Sequence, residues 1–282
     1  MKTGITTASY YIGNTEKVDY KLMKSHMFDC GDYGGFVNVE NEKYSMSDDE
    51  LKKTLSDEKK EADEAGIEIS QVHAIWPCDN TSPEKIASAM KSMKISVRGT
   101  SYLGSKNLVV HPIMPDGWAT EIDADANEKI NAEYFSELCA YAADFGVNIC
   151  IENMPMKAHR LSPIPKIVEF VEKLDIPNFF ICLDTGHCNV FGHDCGEMVR
   201  LCGKKLKVLH VHDNTGRSDE HRLPYCGTID WESFKAALHD VGFEGSVSIE
   251  SKIKRTGIPF EIREQLLREA NTSARYFADI LN

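Results

Sequence analysis

The feature that most constrains this chain is an alternation repeated eight times, in which a short β-branched run is followed by a stretch of helical hydrophobic period. The runs at residues 3–7, 35–39, 67–73, 107–111, 147–152, 179–184, 207–212 and 246–250 read as strands. The stretches at 17–27, 47–65, 83–103, 127–145, 163–174, 195–201, 231–241 and 259–280 read as helices. Ser82-Pro83-Glu84 has the form of a helix cap with proline at the first helical position. Gly66, Gly104, Gly146 and Gly242 each fall between a helix and a strand, where a left-handed residue is wanted. Strict alternation implies a parallel sheet with helices outside. Eight units predict closure into a single (β/α)8 TIM barrel. A doubly wound open sheet is the alternative, but it would bind ligands at one crevice rather than around a rim. No glycine-rich nucleotide loop follows the first strand. Such a barrel needs roughly 250 residues. The expectation is therefore one domain over residues 1–282, with no linker and no low-complexity segment.

Composition narrows the partners. Thirty-two Lys and Arg face 44 Asp and Glu, a formal charge of -12, so nothing supports a nucleic-acid or membrane-surface partner. No apolar run is long enough to span a bilayer. The opening Met1-Lys2-Thr3-Gly4-Ile5 reads as the start of a strand rather than a signal peptide. Nine cysteines are scattered without a CxxC pair, and reduced thiols in a cytoplasmic protein are expected. Oligomeric state leaves no signal.

The chemistry lies at the strand ends. The third ends in His73, the fourth in His111, the fifth in Glu152, the sixth in Asp184 and the eighth in Glu250, while the seventh carries His210-Val211-His212-Asp213. All fall at the C-terminal rim, where barrel active sites are built. Each follows a run of apolar residues, and buried charge there is expensive unless paired or bound to a cation. Converging carboxylates would repel one another, and a divalent ion resolves this. Mixed imidazole and carboxylate donors suit zinc, manganese, cobalt or magnesium without thiolate. Taken singly, a strand-end His is an ordinary loop residue and a strand-end Asp a helix cap; the weight lies in six on one rim. Cys150 and Cys182, inside strands, are expected to pack the core. His26, His159, His193 and His239 read as surface or helix residues. The polar segment after strand seven is either an ordinary loop with Asp230 capping a helix or a ligand-binding loop that supplies Arg217, Asp219 and His221.

Ile151-Glu152-Asn153, Leu183-Asp184-Thr185-Gly186-His187, His210-Val211-His212-Asp213 and Asp219-Glu220-His221 before Gly227-Thr228-Ile229-Asp230-Trp231 resemble, in this order, the xylose-isomerase-like superfamily. That group joins sugar phosphate isomerases and epimerases to endonuclease IV. The likeness to ketose epimerases implies one metal held by Glu152, Asp184, His210 and Glu250. It makes the two glutamates the acid/base pair and puts His187, Arg217, His73 and Trp76 at the substrate, although Arg217 lies one residue beyond the family's offset. The implied reaction is isomerisation or epimerisation of a sugar-like hydroxy-carbonyl through a metal-stabilised enediolate. The alternative likeness, to endonuclease IV, implies a trinuclear zinc phosphodiesterase on abasic DNA, with additional ligands His73, His111, His187, Asp219 and His221. Trp76-Pro77 and Met154-Pro155 look more like the small-molecule branch, and no basic, aromatic-rich loop is present to grip DNA. A third alternative is a barrel that binds metal and sugar without turnover, against which the intact glutamate pair speaks.

Overall fold

The structure, a computed structural model, describes residues 1–13, 15–78, 80–253 and 256–279. Its strands are β1 (Lys2–Thr6), β2 (Cys30–Tyr33), β3 (Glu68–His73), β4 (Asn107–Val110), β5 (Asn148–Glu152), β6 (Phe179–Asp184), β7 (Leu206–His210) and β8 (Ser246–Ile249). Between and after them run α1 (Tyr20–Ser25), α2 (Asp48–Ala65), α3 (Pro83–Tyr102), α4 (Ala124–Ala143), α5 (Ile164–Leu174), α6 (Thr185–Val190), α7 (Cys195–Cys202), α8 (Trp231–Asp240) and α9 (Phe260–Phe277). The strands pair in the order β7-β6-β5-β4-β3-β2-β1-β8. The two edge strands meet through a parallel bridge between Val211 and Ile249. There Val211 N–H donates to Ser248 O at 2.8 Å and Glu250 N–H donates to Val211 O at 2.9 Å. The expected single (β/α)8 barrel is what forms.

Local chemistry sets the helix ends. Ser47 and Glu50 form a capping box at the start of α2, and Gly66 ends that helix at φ 75°. Ser82 Oγ accepts from Lys85 N–H at 3.3 Å and Pro83 opens α3. The expected end of the last helix, at residue 280, lies outside the described residues. Among those residues, no helix is long and apolar enough to cross a membrane.

Inside the barrel, Val109, Cys150, Cys182 and Val208 form a separate buried cluster, while their strand neighbours Leu108, Ile149, Ile151 and Leu183 pack in the main core with the helices. This is the period-two alternation of a strand covered on both faces. It gives Cys150 and Cys182 the packing role expected of them.

Three expectations need correction. The second strand is Cys30–Tyr33, not residues 35–39. All four of its residues are buried and two are Gly31 and Asp32, so neither alternation nor β propensity marks it. The apolar residues at 35–39 form turns over the mouth, with buried Phe36 packed against Gly99 of α3. Secondly, the segment after β6 holds two helices; α6 starts immediately at Asp184, whose Oδ1 accepts from His187 N–H at 2.6 Å. Thirdly, His159, read as a surface or helix residue, is buried in a loop, and His26, at the C-terminal cap of α1, is buried as well. His26 Nδ1 lies 3.0 Å from Tyr10 Oη and its Nε2 lies 2.9 Å from Glu264 Oε2.

Candidate metal centre

The interior layer dictates which residues reach the rim. Gln71, Val109, Cys150, Cys182, Val208 and Ser248 are buried inside the strands. Two residues further along, the pleat sends His73, His111, Glu152, Asp184, His210 and Glu250 into the barrel mouth. On β7 the same parity carries on to His212, and on β2 it delivers Asp32.

Glu152 is the hub. Its Oε1 lies 2.9 Å from His210 Nδ1, and its Oε2 lies 2.9 Å from His111 Nε2 and 3.9 Å from His73 Nε2. Glu250 Oε2 reaches the same His210 Nδ1 at 3.2 Å. Among the described residues, buried Glu152 Oε2 has no aligned hydrogen-bond donor, and neither nitrogen contact supplies one. Close approach of donor atoms without hydrogen-bond alignment fits a shared cation. The His73 ring lies 5.5 Å from that of His210 with 6° between their planes.

A second group lies beside it. Asp184 Oδ2 accepts from His212 Nε2 at 3.0 Å. His187 Nδ1 donates to Asn153 O at 2.7 Å, which leaves Nε2 facing Asp219 Oδ2 at 3.6 Å. His221 Nε2 lies 2.9 Å from the same oxygen, and its Nδ1 donates to Glu250 O at 2.8 Å. Asp219 Oδ1 is buried 3.5 Å from His212 Nε2 and has no hydrogen-bond donor among the described residues. Ligand atoms lie within 4.8 Å of one another in the sets His73–His111–Glu152, His73–His210–Glu250, Asp184–His187–His212 and His212–Asp219–His221. These are nitrogen and oxygen donors, which suits zinc or manganese; a further set, Glu152–Cys182–His210, adds the sulfur of buried Cys182.

Electrostatics reflect the crowding. Burial would raise the Glu152 carboxyl, yet His210 and His111 hold it well below the usual range. Burial likewise opposes ionisation of Asp184, which His187 and His212 draw below its usual value. Burial and then His111 push His73 down. Burial opposes protonation of His187 and His221, but Asp184 and Asp219 lift His187 to about 10, and Asp219 with Glu250 lifts His221 to about 9. Here protons neutralise the carboxylates, and a bound cation would take over that task.

The loop carrying Asp219 and His221 is held by buried Asp213. Its carboxylate accepts from Asn214 N–H at 2.8 Å, Gly227 N–H at 3.0 Å, Thr228 N–H at 3.1 Å and Trp231 Nε1–H at 3.0 Å. A Cβ on Gly227 would collide with Asp213 and Asn214. Above the centre opens a cavity of about 730 Å³, whose lining includes Thr6, Asp32, His73, Trp76, His221 and Glu250. Trp76 packs 4.3 Å from His111 and stacks on Trp118.

The structure thus brings together His73, His111, Glu152, His210 and Glu250, and beside them Asp184, His187, Asp219 and His221. Asp184 turns toward His212 and His187. Arg217 is exposed and is not among the cavity-lining residues. Sequence reasoning assigned no site role to Asp32, His212 or Asp213. His212 could have been found from its spacing of two after His210; Asp32 could not, because its strand was misplaced.

Fold and rim together define a (β/α)8 barrel with an imidazole–carboxylate centre able to hold divalent metal. The chain belongs to the xylose isomerase-like TIM barrel family, whose profile matches residues 32–276. It is 29% identical over 210 residues to an uncharacterized protein of Methanocaldococcus jannaschii, covering 71% of this chain and 70% of that one. It is 28% identical over 149 residues to the D-psicose 3-epimerase of Agrobacterium fabrum, covering 52% of this chain and 50% of the epimerase, so the match spans half the epimerase's length. The crystal structure of the IOLI protein with a bound zinc atom superimposes with TM-score 0.74 at 20% identity, covering 99% of this chain and 98% of that one.

Proposed function

We propose that this protein is a metal-dependent isomerase or epimerase of a ketose or related small polyhydroxy-carbonyl compound. The observation that carries the reading is the Glu152–His210–Glu250 cluster, of which Glu250 lines the cavity, with carboxylate oxygens 2.9 and 3.2 Å from one imidazole nitrogen. The cavity's size supports it, because small-molecule sites run from about 300 to 1,000 Å³. The partial match to a D-psicose 3-epimerase supports the substrate class.

The residues that would hold the ion are Glu152, His210 and Glu250, with Asp184 beside them. A divalent ion there supplies Lewis-acid polarisation of the substrate carbonyl, which acidifies the adjacent C–H. Glu250 lines the cavity and carries the proton on that side; Glu152, enclosed by His73, His111 and His210, is the second carboxylate of the pair. His187, with Nδ1–H anchored on Asn153, offers Nε2 to a substrate oxygen. Trp76, packed on His111, and Val37 and Asn38 of the turn over the mouth line the cavity.

The test is incubation of candidate ketoses with the metal-loaded protein in deuterated water, reading deuterium at the epimerised carbon. Glu250→Gln should reduce turnover by about 10²–10⁴-fold while metal content, measured on the same variant, is kept. A variant that keeps both its metal and its rate refutes the glutamate's role. A second reading is favoured by one observation, the additional donor sets His73–His111–Glu152 and His212–Asp219–His221, which suit more than one ion. Three tightly bound zinc ions together with cleavage of an abasic duplex would replace the isomerase reading by an endonuclease-like one.

A further inference from the structure

Asp32 belongs to no motif and sits on the strand that the hydrophobic pattern misplaces, yet it is buried at the centre of the site. Its Oδ2 lies 3.0 Å from His210 Nε2. A carboxylate can only accept there, so Nε2 carries the hydrogen. The same ring turns Nδ1 toward Glu152 Oε1 at 2.9 Å and Glu250 Oε2 at 3.2 Å, so without an ion this nitrogen also carries a hydrogen, which a cation shared with those carboxylates would displace. Asp32 Oδ1 is buried without a donor, so among the described residues the side chain's hydrogen bonding is committed to His210. A buried carboxylate with one partner is expensive. His73, stacked on the His210 ring, hinders its rotation from one face.

We propose that Asp32 is a positioning residue: it anchors the Nε2–H of His210 and so leaves Nδ1 bare toward a divalent ion shared with Glu152 and Glu250. The inference rests on the metal-dependent reading of the site given above. An imidazole ligand must present a nitrogen without a proton, and which nitrogen that is depends on the hydrogen bond made by the other. Without Asp32 the ring is free to adopt the tautomer that points N–H at the cation. The carboxylate also makes the imidazole more basic, and so a stronger donor to the ion. Asp32 acts through His210 and transfers no proton itself.

The experiment compares the wild-type protein with Asp32→Ala and Asp32→Asn. Mn²⁺ affinity is titrated by electron paramagnetic resonance, and the imidazole N–H protons of the Zn²⁺-loaded proteins are observed by ¹⁵N-edited NMR. The wild type should show a solvent-protected Nε2–H resonance that is absent from His210→Asn. Asp32→Ala should weaken Mn²⁺ binding by about 10–100-fold, the usual effect of losing such a partner, and erase that resonance. Asp32→Asn, whose amide oxygen still accepts, should keep the resonance and lose less affinity. Wild-type affinity in both variants, or a resonance that survives in Asp32→Ala, overturns the inference. Where the alanine variant does not fold, the asparagine variant decides alone, and affinity equal to wild type overturns it. If the wild type binds Mn²⁺ and Asp32→Ala weakens it, yet no ketose exchanges deuterium, the positioning role stands and the isomerase reading falls. Unchanged affinity in an Asp32→Ala protein that still isomerises does the reverse.

Discussion

Replacing Asp213 by Ala isolates the device that holds the loop over the metal centre. Five donors converge on its carboxylate: the N–H groups of Asn214, Gly227, Thr228 and Ile229, and the indole N–H of Trp231. Its backbone pairing with Arg222 survives the substitution, so the side chain alone is tested. Bonds to a charged acceptor contribute about 1.5–3 kcal/mol each, a gross sum of about 7.5–15 kcal/mol. The net loss is smaller, because the variant no longer buries a charge and water can reach some of the released donors. A buried donor left without an acceptor costs about 1–3 kcal/mol, so two that water does not reach put the loss at about 3–5 kcal/mol. For a large domain, about 2 °C of melting temperature is lost per kcal/mol, so the midpoint should fall by about 6–10 °C. The assay is thermal unfolding followed by circular dichroism, with metal content measured on the same samples. The weakened loop carries Asp219 and His221, so metal retained at those residues should fall as well. Arg217→Ala, at an exposed position in the same loop, should stay within about 0.5 kcal/mol of wild type and serves as the control. A midpoint within 2 °C of wild type (about 1 kcal/mol), with metal content unchanged, would refute the claim that Asp213 organises the loop.

Metal removal should destabilise the native protein, since an ion bound only by the folded state contributes about 2.7 kcal/mol at 100 times its Kd. A melting curve unchanged after verified chelation would contradict this. Gly186→Ala should push the His212 ring off Asp184, because a Cβ at 186 would lie inside contact distance of that ring. Overpacking of this kind costs about 1–3 kcal/mol, and both the melting temperature and the retained metal should register it. The metal-free protein should lose stability at alkaline pH. His187 and His221 are raised from 6.5 to about 10 and about 9, so their contribution is complete below pH 6.5 and disappears as pH rises through 9 to 10. Melting temperatures between pH 7 and 10 should fall in chelator and fall less in the metal-loaded protein, whose liganding imidazoles have already released their protons.

The hydrophobic periods were enough to derive the barrel, seven of its strands, every long helix and six rim positions, because strand parity is a local property. Once Val109, Cys150 and Val208 are read as buried, residues two further on must face the mouth, and His111, Glu152 and His210 follow. Local reasoning failed at β2, where four buried residues with Gly31 and Asp32 show no alternation, while the apolar residues at 35–39 imitate a strand and are turns over the mouth. Partner choice was also out of reach. Asp184 faces His212 rather than His210, Asp32 crosses the barrel to His210, and Asp213 gathers donors from a loop 14 to 18 residues further along. Those contacts depend on the relative register of neighbouring strands and on the curvature that brings non-adjacent strands together around the barrel. A linear pattern states which way a side chain points, but only the closed barrel decides what it meets.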